Sequence, residues 1–232
     1  MAAAMKIPWL WQKMPASRSG FFIPRAVIFD WDNTLIDSWG AIGEAVNETR
    51  AHFGLQVWNR REILANCTRS ARESFPDWFG DKWQEAWDRY YNNFNKIRSQ
   101  TGLHVLDGGR ELVAWLKEKD IPSMVVSNKS GPILRQEVEQ LGWQHYFASV
   151  VGAHDAARDK PARAHADMAL DQAGLKPSAD ILFIGDSETD IACARNVGCT
   201  PCLVGKQETA KFLDVALFSE DCAEILDQLK RL

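Results

Sequence analysis

Asp30 and Asp32 stand i, i+2 directly after the apolar run Ala26-Val27-Ile28-Phe29, and Asn33 and Thr34 follow them. Such a run reads as a buried strand of a parallel sheet. Side chains alternate along a strand, so the two carboxylates share one side and Trp31 points away. Paired carboxylates at a strand end repel unless a proton or a cation offsets their charge. A divalent metal meets that need, and Mg²⁺ favours oxygen donors together with phosphate. Taken alone, the pair fits equally a strand that ends in a solvated acidic turn.

Further along the chain the same arrangement returns. Val125-Val126-Ser127-Asn128-Lys129 is an apolar run ending in a hydroxyl. Ser149-Val150-Val151-Gly152 is another, with a loop leading to Asp159-Lys160-Pro161. Ile181-Leu182-Phe183-Ile184-Gly185 ends in Asp186-Ser187-Glu188-Thr189-Asp190. Each polar group falls at or just beyond the carboxyl end of its strand, the edge where open α/β sheets bind ligands. Carboxylates, a hydroxyl and an ammonium gathered at one edge are the parts of a metal-plus-phosphate site.

With Asp30-Trp31-Asp32-Asn33-Thr34, Ser127-Asn128-Lys129, Lys160-Pro161 and Gly185-Asp186-Ser187-Glu188-Thr189-Asp190 in that order, the chain resembles a haloacid dehalogenase superfamily phosphatase. The branch it is most similar to is typified by phosphoglycolate phosphatase and beta-phosphoglucomutase. The first and fourth motifs are specific, whereas the second and third are weak alone. Asn33 departs from the family's usual Gly, and Asn tolerates the left-handed turn expected there.

The resemblance implies roles. Asp30 is the nucleophile that forms an aspartyl phosphate, and Asp32 is the general acid and then the base. Mg²⁺ is held by Asp30, Asp186 and the backbone carbonyl of Asp32. Ser127 binds a phosphoryl oxygen and Lys160 stabilises its charge. Asp190 orients Lys160 or a water near the metal, and Thr34 and Asn128 help to orient the substrate. In Thr68-Arg69-Ser70-Ala71-Arg72-Glu73, Arg69 and Arg72 either receive a substrate's second anionic end or belong to a solvated helix face.

The full sequence has 232 residues, 46% of them hydrophobic, with a formal net charge of −4. That describes an ordinary globular protein with room for a large core, and it disfavours a nucleic-acid binder, which needs a basic face. No apolar run reaches the ~20 residues of a membrane span. Five scattered cysteines fit reduced thiols and a cytoplasmic protein. Cys199-Thr200-Pro201-Cys202 leads into a strand rather than a helix, which favours a structural role over a redox one. The five histidines form no metal-spaced pair, although His154 follows a strand and is placed to line the rim.

The elements that must position the chemistry divide the chain. Residues 1–24, with Lys6, Lys13, Arg18, Trp9 and Trp11, read as an N-terminal extension. Residues 25–37 and 105–232 read as a Rossmann-like, doubly wound parallel α/β core, with helices alternating with strands. Residues 38–104 carry helical periodicity and no strand signal, with helices expected over 41–53 and 60–67. Trp83, Trp87, Tyr90 and Phe94 form the stripe of a third helix. This insertion resembles the family's helical cap, and the stripe is expected to be its core, the alternative being a face toward a substrate or partner.

Three functions stay open on the sequence. One is a Mg²⁺-dependent phosphatase acting on a small phosphorylated metabolite. Another is a phosphomutase of the beta-phosphoglucomutase type. The third is a non-catalytic binding protein that uses the aromatic cap. The intact acids disfavour the last, and Asp32 disfavours the superfamily's carbon–halogen dehalogenases. Oligomeric state is left open.

Overall fold

The computed structural model describes residues 20–67, 69–205, 209, 213–215 and 217–232. Most of the expected N-terminal extension, together with Thr68 and Ala216, lies outside the described residues.

Six parallel strands form the main sheet. They are β1 (Ala26–Phe29), β4 (Ser123–Ser130), β5 (Phe147–Ala153), β6 (Ile181–Gly185), β7 (Thr200–Val204) and β8 (Leu217–Ser219), in the order β5-β4-β1-β6-β7-β8. All four residues of β1 are buried, because helices cover both of its faces. Val27 and Phe29 pack with Leu112, Leu116, Ile225 and Leu229 of α5 (Gly109–Glu118) and α9 (Cys222–Lys230). Ala26 and Ile28 pack on the other face with Ala166, Leu170, Cys193 and Val197 of α7 (Ala164–Gln172) and α8 (Glu188–Val197). The alternation of strand side chains therefore appears directly in the two cores.

From β1 the chain builds toward β4 and β5 on one side, then crosses to β6, β7 and β8 on the other. The order reverses at β1, and in such sheets the crevice at the reversal is where ligands sit. The register brings Phe29 level with Val125 and with Ile184. Asp30, Ser127 and Asp186 therefore emerge at one edge.

A short antiparallel ladder of β2 (Ile36–Asp37) and β3 (His104–Val105) carries the chain out of the core and back. Between these strands lie the cap helices α1 (Trp39–His52), α2 (Arg60–Asn66), α3 (Ala71–Phe79) and α4 (Trp83–Thr101). Ala41, Ala45, Phe94 and Ile97 bind α1 to α4. Helix α3 was not expected from the pattern. Pro76 sits inside it, and a proline normally reads as a helix stop. Its start is fixed by Ser70, whose side chain accepts from the Glu73 N–H.

The aromatic stripe packs within the cap, as expected, and part of it also lines a cavity. Tyr90 and Phe94 pack ring against ring at 6.0 Å, and Phe75 meets Tyr90 at 5.4 Å. Tyr90 and Phe94 also face the cavity between cap and core. Trp87 meets His154 edge-on at 5.0 Å, and neither residue lines that cavity.

The closing strand starts at Leu217 rather than at Val215 as the apolar pattern suggests. All five cysteines are free, and Cys199 and Cys202 are buried just before β7 and within it. Burial pushes the Cys199 thiol up to about 11 and the Cys202 thiol higher still, so neither is poised for redox chemistry. Among the described residues, no helix is long and apolar enough to cross a membrane.

Candidate active site

Asp30 follows β1 immediately, where its N–H still donates to the Ile184 carbonyl at 2.9 Å. Lys160, only 2% exposed, reaches it from the loop after β5. The Lys160 Nζ lies 2.7 Å from Asp30 Oδ1 and 2.6 Å from Asp190 Oδ1. The lysine's backbone is held by Asn128, whose Nδ2 donates to the Lys160 carbonyl at 3.0 Å and whose Oδ1 accepts from the Lys160 N–H at 2.9 Å. Asn128 thus fixes the loop that delivers the ammonium. The chain turns after Asp32 at Asn33, whose φ of 63° is the left-handed conformation expected there.

Asp190 is placed by the first turn of α8. Ser187 caps that helix, and its N–H and Oγ donate to Asp190 Oδ2 at 3.1 and 2.5 Å. Asp190 lies so close to β6 that a Cβ on Gly185 would stand 2.3 Å from the Asp190 Cβ. Gly185→Ala is therefore expected to push Asp190 off Lys160. The expected result is a loss of about 1–3 kcal/mol of stability together with a drop in turnover. Thermal unfolding and steady-state rates measured on the same preparation would check this, and a variant matching the native protein in both would refute it.

A second set of charges holds Asp32. Its Oδ1 is 2.7 Å from the Lys129 Nζ, which in turn lies 2.5 Å from Glu137 Oε2. Trp31, packed edge-on against Trp143 at 6.0 Å, donates its Nε1 to the same Glu137 oxygen at 2.7 Å. The Arg98 Nε stands 3.3 Å from Glu137 Oε1. Arg98 also donates to the Asp37 carbonyl at 3.1 Å, to the Gly102 carbonyl at 3.3 Å and to the Ser38 hydroxyl. One arginine of α4 therefore ties together both linkers of the cap and a buried acid of the core. The sequence reading assigned no role to Lys129 or Glu137. The available signal was an acid in α6 (Gly131–Gln140) on the buried stripe of Leu134 and Val138, where a helix packed on the core would carry an apolar residue.

The electrostatics describe a place short of positive charge. Burial lifts the Asp30 carboxyl to about 7, against the pull of Lys160 and with Asp190 and Asp32 adding repulsion. Burial, then Asp190 and Asp30, hold Asp186 well above the carboxylate range. Burial acts to lower the Lys160 ammonium, yet Asp190 and Asp30 outweigh it and raise it. Carboxylate oxygens of Asp30, Asp186 and Asp190 lie within 4.8 Å of one another. Hard oxygen donors, close together and incompletely neutralised by one ammonium, fit a divalent cation such as Mg²⁺.

These groups open onto a cavity of about 620 Å³ between core and cap. Asp30, Asp32, Asp186 and Asp190 line it, as do Ser127, Asn128 and Lys160. Arg69 reaches its wall while paired with Asp77 at 3.0 Å. Arg72 does not line it. Its guanidinium lies 3.0 Å from the fully buried Asp159, which also faces His165 at 3.3 Å. Arg72 thus braces the residue before Lys160. Thr34, expected to help orient the substrate, is fully buried and does not line this cavity, and its carbonyl accepts from the Cys222 Sγ at 3.5 Å.

Comparison with known proteins places this geometry. The sequence matches the haloacid dehalogenase-like hydrolase family over residues 27–204. A phosphoglycolate phosphatase of Chromobacterium violaceum is 28% identical over 218 residues, covering 89% of this chain and 96% of the relative. One of Escherichia coli is 27% identical over 75% of this chain and 79% of its own length. A superfamily hydrolase of Ehrlichia chaffeensis superposes with a TM-score of 0.63 at 28% identity, covering 91% of this chain and 98% of the other. CbbY of Rhodobacter sphaeroides, solved with phosphate, has the same fold, with a TM-score of 0.78 at 20% identity over 89% of this chain and 99% of its own.

Proposed function

Since the chain belongs to the haloacid dehalogenase-like hydrolase family and is a phosphatase of that family, we propose that it hydrolyses a small phosphorylated metabolite, with Mg²⁺ as cofactor and Asp30 as nucleophile. The observation that carries this reading is the Asp30 carboxylate, fixed at the end of the central strand by Lys160 and gathered with Asp186 and Asp190.

The metal would be held by Asp30, Asp186 and the backbone carbonyl of Asp32, and when bound it offsets the repulsion between Asp30 and the phosphate dianion. An Asp30 oxygen attacks phosphorus, and the bond from phosphorus to the alcohol oxygen breaks. Asp32 acts as the general acid and passes a proton to that leaving oxygen. Lys129 holds the Asp32 carboxyl in place at 2.7 Å. Asp32 then takes a proton from water as the water attacks phosphorus. The bond to Asp30 breaks and inorganic phosphate departs. Ser127 and Lys160 offer a hydroxyl and an ammonium to the phosphoryl oxygens, and Asn128 keeps Lys160 in place.

Phosphate release from 4-nitrophenyl phosphate tests the reading. With Mg²⁺ the protein is expected to turn over, and with EDTA it is expected to lose most of that activity and regain it when Mg²⁺ is restored. Undiminished turnover in chelator would remove the metal from the scheme. Conversion of a hexose 1-phosphate to its 6-phosphate without free phosphate would make the protein a mutase instead.

A further inference from the structure

We propose that the alcohol half of the substrate is apolar and ring-sized, that it sits against the cap, and that it carries no second anionic group. The inference rests on the phosphatase reading above and specifies the substrate of that site. Opposite the carboxylates, the cavity wall is formed by Ile42 and Val46 of α1, Phe75 and Trp78 of α3, and Tyr90 and Phe94 of α4. Its volume of about 620 Å³ far exceeds what a phosphate with a two-carbon tail fills. Cavities of ~300–1,000 Å³ lined by aromatic and aliphatic side chains enclose larger, mostly apolar ligands.

The charges lead to the same conclusion. Among the described lining residues, six carboxylates (Asp30, Asp32, Asp37, Asp186, Glu188 and Asp190) face three cations (Arg69, Lys129 and Lys160). Each of those cations already has a partner. Lys160 lies between Asp30 and Asp190, Lys129 lies between Asp32 and Glu137, and Arg69 is on Asp77. Arg72, the other cap arginine near the site in sequence, is turned away onto Asp159. A divalent ion and a phosphate dianion roughly cancel, so the remaining field is negative. It repels a carboxylate or second phosphate on the substrate. An aromatic ring meets no such opposition, and it gains by leaving water for the Phe75–Trp78–Tyr90 wall.

The test compares two esters of primary alcohols, 2-phenylethyl phosphate and 2-phosphoglycolate, so that the leaving groups are alike. kcat/KM is measured on the native protein with Mg²⁺. Binding is measured by calorimetry on Asp30→Asn protein with Mg²⁺, where chemistry does not intervene. The phenylethyl ester is expected to be favoured about tenfold or more in both. Ile42→Arg, which adds a cation to the wall, is expected to move the ratio about tenfold toward 2-phosphoglycolate. Equal or tighter binding of 2-phosphoglycolate by the unaltered wall overturns the inference and leaves the phosphatase reading standing. So does a preference for 2-phosphoglycolate that Arg69→Ala abolishes. A binding preference for the phenylethyl ester, with no phosphate released from any ester including 4-nitrophenyl phosphate, supports the inference and overturns the phosphatase reading alone.

Discussion

Asp30→Asn is expected to lower turnover of any phosphate monoester by about four orders of magnitude or more, the scale on which losing a nucleophile acts. An amide oxygen cannot take phosphorus from an alcohol, and no described residue replaces it. Asp32 is held by Lys129 at 2.7 Å, and Asp190 is held by Lys160 and Ser187. The substitution nearly conserves volume, so the fold should persist. A normal thermal transition beside a lost rate is the expected pair of results. A variant that keeps turnover near the native rate would show that another group attacks phosphorus.

Lys160→Met is expected to damage both chemistry and stability. The ammonium is buried between Asp30 and Asp190, and it is positioned to meet charge on the phosphoryl group. Losing one such stabilising contact costs about 10²–10³ in rate. Breaking a buried ion pair from one side costs about 3–5 kcal/mol, because the remaining charges stay buried without a partner. The pH dependence identifies the cause. Asp30 already stands at about 7 with Lys160 beside it, and without the lysine it is pushed further up. A carboxyl raised in the folded state contributes its full stability below its unfolded value, and that contribution is lost as pH rises through its folded value. In metal-free buffer the Asp30 part of the variant's deficit should therefore be small below about pH 7 and grow as the pH rises above it. A deficit that does not change with pH would assign Lys160 a packing role only.

Much of this could be read along the chain because the informative residues are local. In Ala26 to Asp32, the apolar run makes the strand and the same few residues place the acids at its end. Ile181 to Asp190 does the same, with Gly185 giving Asp190 its room. Other features depend on partners far away in sequence. Glu137 has meaning only with Trp31, Lys129 and Arg98 around it, and no spacing rule links those positions. Arg72 looked available to a substrate until the fold set Asp159 beside it. The β2–β3 ladder pairs two residues with two, too few for any periodicity to register. Helix α3 was hidden by Pro76, because tertiary packing of Phe75 and Ser74 overrides the local penalty.

That short ladder makes the cap exchangeable. Ile36 and Val105 are neighbours, so to the core everything between Asp37 and His104 is one long excursion that starts and finishes at the same spot. Closing such an excursion costs an entropy that grows only slowly with its length. A foreign insert grafted across the ladder, whether a shorter loop or a different helical lid, would leave Asp30, Lys160 and Asp186 at or just beyond the ends of β1, β5 and β6, which the graft does not replace. Arg98 ties the lid to the catalytic floor through Glu137 to Lys129 and Asp32, and Arg72 ties it to Asp159 beside Lys160. A chimera that keeps those two arginines would inherit the reaction and redefine the guest.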